Sequence, residues 1–170
     1  MNPTIKAALN DQANHELFAA HSYFAMAMWC ENKDYLGYAE FFSKQAIEER
    51  EHAERFFNHL ADRGELPELK GIEAPKMDFA KLADVAQHAE TLERYNTEAI
   101  HRCYDIALEV KDFPSHPLLL EFIEEQVEEE SWTGTMLTLT RRAECSGALY
   151  NLDRHIVKTL TEPATAPLEV

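Results

Sequence analysis

The chain has 170 residues, of which 45% are apolar and only 5 are glycine and 7 proline, and this composition predicts one folded domain with a hydrophobic core. Its formal net charge of −15 disfavours binding to the phosphate backbone of nucleic acids. Charged and polar residues interrupt every apolar run, so no membrane span is expected, and an N-terminus without a secretory signal pattern predicts a cytoplasmic protein.

Helical periodicity dominates the chain. The first turn, Asn32-Lys33-Asp34, predicts Asp34 as the N-cap of the second helix, and the Phe-Pro-Ser segment at 113–115 is predicted to end the third helix and cap the fourth. A loose tail at 161–170 completes a single domain spanning residues 1–170. The four long helices are predicted at about 3–32, 34–63, 79–112 and 115–145, and a short fifth helix at about 147–160.

The connection between the second and third helices is much longer than the other two. Short turns make the first and second helices, and the third and fourth, antiparallel neighbours. The 15-residue segment 64–78 can extend to about 50 Å, whereas a helix of 28 residues is about 42 Å long. This segment can therefore run the length of the bundle, which predicts an all-α four-helix bundle with parallel second and third helices.

On each of the four predicted long helices, the apolar residues that recur at heptad spacing form a stripe that faces the core. Each of these core stripes carries a polar residue near the middle of its helix. Two of these residues lie 33 positions apart around the first turn, and the other two lie 33 positions apart around the turn at 113–115. Residues equidistant from a hairpin turn lie at equal height, so all four reach one layer. Two more polar residues follow three positions later on the same faces. This predicted polar layer consists of Glu16, Glu49, His52, Glu93, Gln126 and Glu129.

A layer of buried carboxylates needs positive charge or protons to offset desolvation and repulsion. No lysine or arginine occupies this layer of the core stripes, so a multivalent cation is the expected compensation. Oxygen ligands with one imidazole suit iron, manganese or zinc, and a bridging carboxylate allows two metals. The alternative is that these residues face solvent or, for His52, form a hydrogen-bonded core histidine. Tyr23, two turns beyond Glu16, fits either plain packing or a place beside the metals.

Four segments, HELFAAHSYFAMAMWC (15–30), EEREHAE (48–54), LERYN (92–96) and EEQVEEES (124–131), resemble the bacterial non-haem ferritins, and the resemblance extends over nearly all of residues 1–160. It implies a ferritin-like four-helix bundle with a short fifth helix, assembled into a closed shell of twenty-four subunits whose four-fold openings that helix lines. It also implies iron storage with ferroxidase activity. Fe(II) would be oxidised by dioxygen or hydrogen peroxide and deposited as ferric mineral inside the shell.

The resemblance also assigns residues. It implies one iron held by Glu16, Glu49 and His52, with Glu49 bridging to a second iron. That second iron would be held by Glu49, Glu93 and Glu129, with Gln126 close by and Tyr23 near the pair. A third iron site, known in bacterial ferritins, maps to Glu48, Glu125, Glu128 and Glu129. The alternative for its outer residues is a solvated acidic face.

Three positions depart from related patterns. Bacterioferritins carry a haem-binding methionine two residues before the ligand histidine, and Arg50 stands there, which predicts a protein without haem. They also complete their site with a second ExxH pair, where this chain has Gln126 and Glu129. Glu121 stands where some bacterial ferritins have a tryptophan, so no electron-donating role of that residue carries over.

Three other functions remain open from the sequence. A soluble di-iron oxidase acting on an organic substrate would usually have a second ExxH pair and would not need the fifth helix. A mini-ferritin that protects DNA would lack the fifth helix and usually carry a basic arm, whereas only Lys6 is basic among the first fifteen residues apart from one histidine. A shell subunit with an inactive centre would not need an intact ligand set.

Overall fold

The computed structural model describes residues 1–143 and 145–161, and the fold over these residues is all-α, as predicted. A single 3-10 turn at Phe113–Ser115 precedes the fourth long helix. The predicted tail at 161–170 lies outside the described residues except for Thr161, which ends the fifth helix. Within the described ranges the α-helices are α1 (Pro3–Asn32), α2 (Leu36–Asp62), α3 (Leu82–Glu109), α4 (His116–Arg142) and α5 (Ser146–Thr161).

The predicted N-cap of α2 is wrong. Asp34 adopts a left-handed backbone conformation with φ of 60°, and its backbone N–H donates to the carbonyl of Glu31, so it belongs to the turn that ends α1. Tyr35 is the residue at the N-cap position and makes no side-chain cap hydrogen bond. The backbone N–H groups of the second and third residues of α2 are capped from a distant part of the chain, as described below for α5.

The turn before α4 is closed by side chains that bind one another. Ser115 occupies the predicted N-cap position, but its hydroxyl makes no cap hydrogen bond and donates instead to Asp112. Arg63, at the end of α2, forms an ion pair with Asp112 across the bundle, and His59 lies 2.8 Å from the Ser115 hydroxyl. These contacts attach the end of α2 to the connection between α3 and α4.

The segment between α2 and α3 crosses the full length of the bundle along α1, as predicted. Near the start of α1, Glu65 forms ion pairs with the N-terminal amine and Lys6. Further along, Asn10 and Asn14 donate side-chain hydrogen bonds to the carbonyl of Glu68. At the far end, the ring of Phe79 packs on Trp29. Helices α2 and α3 are therefore parallel, and α1 is antiparallel to both.

Two apolar clusters fill the bundle, one on each side of the polar layer. The cluster toward the chain's N-terminus includes Leu9 and Phe56, and the other includes Phe42 and Met136. The polar side chains at the centre therefore separate two apolar cores, whose packing fixes the position of each helix along the bundle. The cores thereby also fix the positions of the polar side chains.

Helix α5 packs on the start of α2 through a close backbone approach. The carboxylate of Asp153 accepts hydrogen bonds from the backbone N–H groups of Gly37 and Tyr38, at 3.0 and 3.1 Å. A Cβ atom at Gly37 would lie 1.8 Å from the carbonyl oxygen of Asp153. Asp153 thus caps α2, and only glycine at position 37 allows the approach.

None of the helices among the described residues combines the length and the apolar character that a membrane span requires.

Candidate metal centre

The six residues of the predicted polar layer are all buried in the bundle, each between 0 and 5% exposed. Helix α1 supplies Glu16, α2 supplies Glu49 and His52, α3 supplies Glu93, and α4 supplies Gln126 and Glu129. Every long helix therefore delivers at least one polar side chain to the same height. The alternative that these residues face solvent is wrong.

Five of these side chains form two groups that share one member. Glu16, Glu49 and His52 each offer a ligand atom within 4.8 Å of the others, and so do Glu49, Glu93 and Glu129. Glu49 belongs to both groups, which is the position of a bridging carboxylate between two cations. The structure therefore brings the predicted ligands together in the predicted pairing.

Glu16 is held by two amide side chains. Gln12, one turn earlier on α1, donates to Oε1 of Glu16 at 2.7 Å, and Asn96 from α3 donates to Oε2 at 3.1 Å. Gln12 also donates to the side-chain oxygen of Asn96 at 2.6 Å, which closes the network. These bonds fix the orientation of the carboxylate and still leave acceptor positions for a metal ion.

Glu93 is held by Tyr23 and Gln126. The Tyr23 hydroxyl donates to Oε1 of Glu93, and the Gln126 amide donates to Oε2 at 3.2 Å. Tyr23 also lies beside the rings of Phe42 and Trp132, with centroids 5.9 and 6.2 Å away. The tyrosine therefore combines the two sequence-based interpretations, since it packs in the core and also contacts a ligand carboxylate.

Burial raises the pKa of three carboxyl groups in this layer. For Glu49 the pKa lies well above its ordinary range because of burial, with Glu93 and Glu16 adding to the effect. Burial raises the pKa of Glu93 to about 7, against the lowering effect of hydrogen bonds from Tyr23 and Gln126. Burial and the charge of Glu93 likewise raise the pKa of Glu129. Each of these shifts favours the protonated form of the carboxyl group over the ionised form that binds a cation.

The donor set fits divalent cations. Two like charges 4 Å apart repel by about 4 kcal/mol at an effective dielectric constant of 20, so several ionised carboxylates in one buried layer require a counter-charge. The two groups around Glu49 consist of four carboxylates and one imidazole. The Oε2 atom of Glu49 is buried without a hydrogen-bond partner, as a carboxylate oxygen awaiting a metal ion would be.

A third group forms beside the first two, and it differs from the predicted one. Glu48, His52 and Glu125 offer ligand atoms within 4.8 Å of one another, with Glu48 and Glu125 partly buried. Glu128 is exposed to solvent and does not join this group. Nε2 of His52 lies 3.1 Å from Oε1 of Glu125, so the histidine side chain belongs to two neighbouring groups.

Several contacts of the site were not foreseen from the sequence. Among them, Trp132 donates from Nε1 to Oε2 of Glu129 at 2.5 Å, Gln12 binds Glu16, and Arg55 binds Glu125 at 3.3 Å. Helical spacing could have indicated two of these contacts, because Trp132 follows Glu129 by three positions and Gln12 precedes Glu16 by four.

Comparison with known proteins agrees with this geometry. The family model for the ferritin-like domain matches residues 6–143. The chain belongs to the ferritin family. It is 39% identical over 157 residues to a bacterial non-heme ferritin of Staphylococcus aureus, covering 92% of this chain and 95% of the relative. A bacterial non-heme ferritin of Staphylococcus haemolyticus is 39% identical over 150 residues, covering 88% and 90%.

Solved ferritins share the fold. An open pore ferritin from the archaeon Archaeoglobus fulgidus superimposes with a TM-score of 0.89 at 27% identity, covering 96% of this chain and 99% of that one. A closed form of the same archaeal ferritin, obtained by site-directed mutagenesis, also gives a TM-score of 0.89 at 27% identity, covering 97% and 99%. Membership of the ferritin family indicates a role in iron storage, and the carboxylate and histidine groups described above could bind iron.

Proposed function

We propose that this protein stores iron by oxidising Fe(II) at a two-metal site inside each subunit and depositing ferric mineral in a closed shell. The observation that carries the proposal is the shared position of Glu49 in two buried ligand groups that include all four long helices. Ferritin relatives over nearly the whole chain give independent support.

In this proposal each iron has its own set of ligands. Glu16, Glu49 and His52 bind the first Fe(II), and Glu49, Glu93 and Glu129 bind the second. Both sets are rich in anionic oxygen, which favours Fe(III) over Fe(II) and so eases the loss of an electron to the oxidant. Two Fe(II) ions side by side supply two electrons to one molecule of dioxygen or hydrogen peroxide.

Tyr23 and Gln126 act on these ligands without being the main ligands themselves. Both donate hydrogen bonds to Glu93, so they hold one of its oxygens each and limit how far the carboxylate swings. We propose that Glu48 and Glu125 bind a third iron, which connects the pair to the inside of the shell. Glu128 was also predicted in that site and is exposed, and we propose that it lies outside the third set of ligands.

At the level of assembly, we propose a shell of twenty-four subunits in the cytoplasm, with α5 lining the four-fold openings. We also propose that the shell carries no haem. Arg50, which stands where bacterioferritins have their haem-binding methionine, is exposed and forms an ion pair with Glu54. Purified protein should therefore show no Soret band after haem reconstitution, and a stoichiometric band would contradict this part.

The direct test of storage is to add Fe(II) aerobically and follow the iron. We expect ferric absorbance to appear rapidly and the iron to co-sediment with protein at far more than two ions per subunit. A soluble oxidase acting on an organic substrate would instead keep about two metals per subunit and form a small oligomer. Light scattering on the same sample separates the two functions, because storage requires a large closed particle.

A further inference from the structure

Arg55 lies three residues after His52 on α2 and reaches across to α4. Its Nη2 atom lies 2.6 Å from Oε2 of Glu121, and its Nη1 atom lies 3.3 Å from Oε2 of Glu125. The guanidinium carbon sits 4.3 Å from the centre of the Phe122 ring. Two carboxylates and an aromatic face, all from α4, therefore hold this side chain in one place.

Glu125 connects Arg55 to the metal centre. One carboxylate oxygen of Glu125 accepts from Arg55, and the other lies 3.1 Å from Nε2 of His52. The His52 ring also meets the Phe122 ring edge-on, with centroids 5.2 Å apart, and Phe122 stacks on Phe56 at 4.4 Å. The imidazole is thus held at one nitrogen by a carboxylate and by contact with the Phe122 ring, which itself stacks on Phe56.

These contacts determine which nitrogen of His52 is free. Arg55 donates to one oxygen of the Glu125 carboxylate, and the other oxygen is placed to accept a hydrogen bond from the imidazole. Nε2 of His52 is therefore the N–H donor toward Glu125, which leaves Nδ1 as the nitrogen that can bind a metal ion once it carries no proton. Nδ1 is the nitrogen that faces the centre, 3.5 Å from Oε2 of Glu49.

We propose that Arg55 is a positioning residue of the metal centre. It holds Glu125 in place, and Glu125 in turn fixes the His52 ring with Nδ1 directed at the metal position beside Glu49. This inference rests on the proposed function in one respect, namely that His52 binds a metal ion. Hydrogen-bond partners of ligand histidines commonly change metal affinity by about 10- to 100-fold.

The test uses Co²⁺, which binds carboxylate and imidazole sites without being oxidised and reports its ligands in the visible spectrum. The assembled protein is titrated anaerobically with up to two Co²⁺ per subunit. For Arg55→Gln we expect binding of the His52-ligated Co²⁺ to weaken by about tenfold, with altered visible bands. Arg94→Gln is the matched control, because Arg94 is exposed on α3, pairs only with Glu90 by the contacts described, and loses the same charge.

A double-mutant cycle tests whether Arg55 acts through Glu125. We expect Glu125→Ala to reproduce the altered spectrum, and Arg55→Gln to add almost nothing in that background. Fully additive effects of the two changes would overturn the proposal. Glu48→Ala removes another member of the third group but leaves Arg55, Glu125 and His52 in contact. If Glu48→Ala gave the same spectral change, loss of a third metal would be the cause and the proposal would fail.

The outcomes separate this inference from the proposed function. Wild-type protein that binds no Co²⁺ at the centre would refute both. Wild-type binding with an unchanged spectrum and affinity in Arg55→Gln would refute only the role of Arg55. If Arg55→Gln does not assemble, Arg55→Lys is used, since it keeps a charge near Glu125 but cannot form the paired contacts. We expect it to weaken Co²⁺ binding to a smaller extent.

Discussion

Hydrogen bonds from uncharged side chains support three of the ligand carboxylates. Amides bind Glu16, a phenol and an amide bind Glu93, and an indole N–H binds Glu129. Such donors orient a carboxylate without neutralising it. Arg55 brings a positive charge to the edge of the site through its ion pair with Glu125.

The raised pKa of Glu93 predicts how pH changes stability. Its folded value of about 7 exceeds the ordinary value of 4.5, so protons stabilise the folded metal-free protein. This contribution is complete below pH 4.5 and is lost as the pH rises through 7. A divalent cation replaces those protons, so we expect Zn²⁺ to raise the Tm more at pH 7.5 than at pH 5.5, measured by scanning calorimetry.

The control for this pH effect is Glu93→Gln, which removes the titrating group and retains its size. In that variant the Tm increase caused by Zn²⁺ should be smaller and should change less between the two pH values. An equal Zn²⁺ effect at both pH values in the wild-type protein would contradict the assignment of buried, protonated carboxyl groups.

The third group predicts different roles for two glutamates that the sequence treats alike. Glu48 offers a ligand atom within 4.8 Å of those of His52 and Glu125, whereas Glu128 is exposed and outside this group. We expect Glu48→Ala to remove about one bound iron per subunit under anaerobic loading, and Glu128→Ala to remove none. Equal losses in both variants would show that Glu128 is a ligand.

Helix periodicity was sufficient to predict which side chains meet in the polar layer but not the side chains around them. The 33-residue spacing places Glu16 level with Glu49, and Glu93 level with Gln126, because each hairpin is symmetric about its turn. The contact between Arg55 and Glu125 depends on how far α2 and α4 are rotated toward each other. Spacing within one helix carries no information on that rotation, so the sequence did not reveal this contact.

At the level of elements, the attachment of α5 depends on one glycine and one aspartate. Asp153 caps α2 through Gly37 and Tyr38, whereas the sequence predicted Asp34 for this role. The N-cap preference for acidic residues favours the one nearest to the start of the helix, which is Asp34. The left-handed backbone of Asp34 instead makes it part of the preceding turn. A cap supplied from 116 residues away leaves no local sequence signal.

A pair of glycine variants tests this attachment. In Gly37→Ala the new methyl group collides with the backbone of Asp153, so we expect a loss of about 1–3 kcal/mol and faster proteolysis within α5. Gly134→Ala is the control, because nothing lies within 4 Å of its Cβ position inside α4, and alanine favours helix by up to about 1 kcal/mol. Thermal unfolding should therefore shift in opposite directions, and a shared direction would refute the close approach.

For the whole molecule, the structure places the polar layer between two apolar cores. The cores fix the helices, so the ligands are held in position before any metal binds, and binding need not order the chain. The long segment between α2 and α3 makes this possible, because it returns the chain to the end of the bundle where α2 begins, so that α3 runs parallel to α2. Its length alone predicted this topology, since a simple up-and-down bundle needs only a short link.

The shell is the other whole-molecule prediction. Light scattering should give the mass of twenty-four chains of 19.5 kDa each. A monomer or dimer at all concentrations would leave the metal centre intact but would remove the cavity that storage requires.

The shared position of Glu49 is the central claim, and stopped-flow oxidation of two Fe(II) per subunit tests it most directly. Glu49→Ala removes the one residue that belongs to both ligand groups, and light scattering establishes that the variant still assembles. The account predicts rapid oxidation in the wild-type protein and a loss of at least about 100-fold in the variant, as is typical when a key group of a reaction site is removed. Oxidation at the wild-type rate in assembled Glu49→Ala would contradict it.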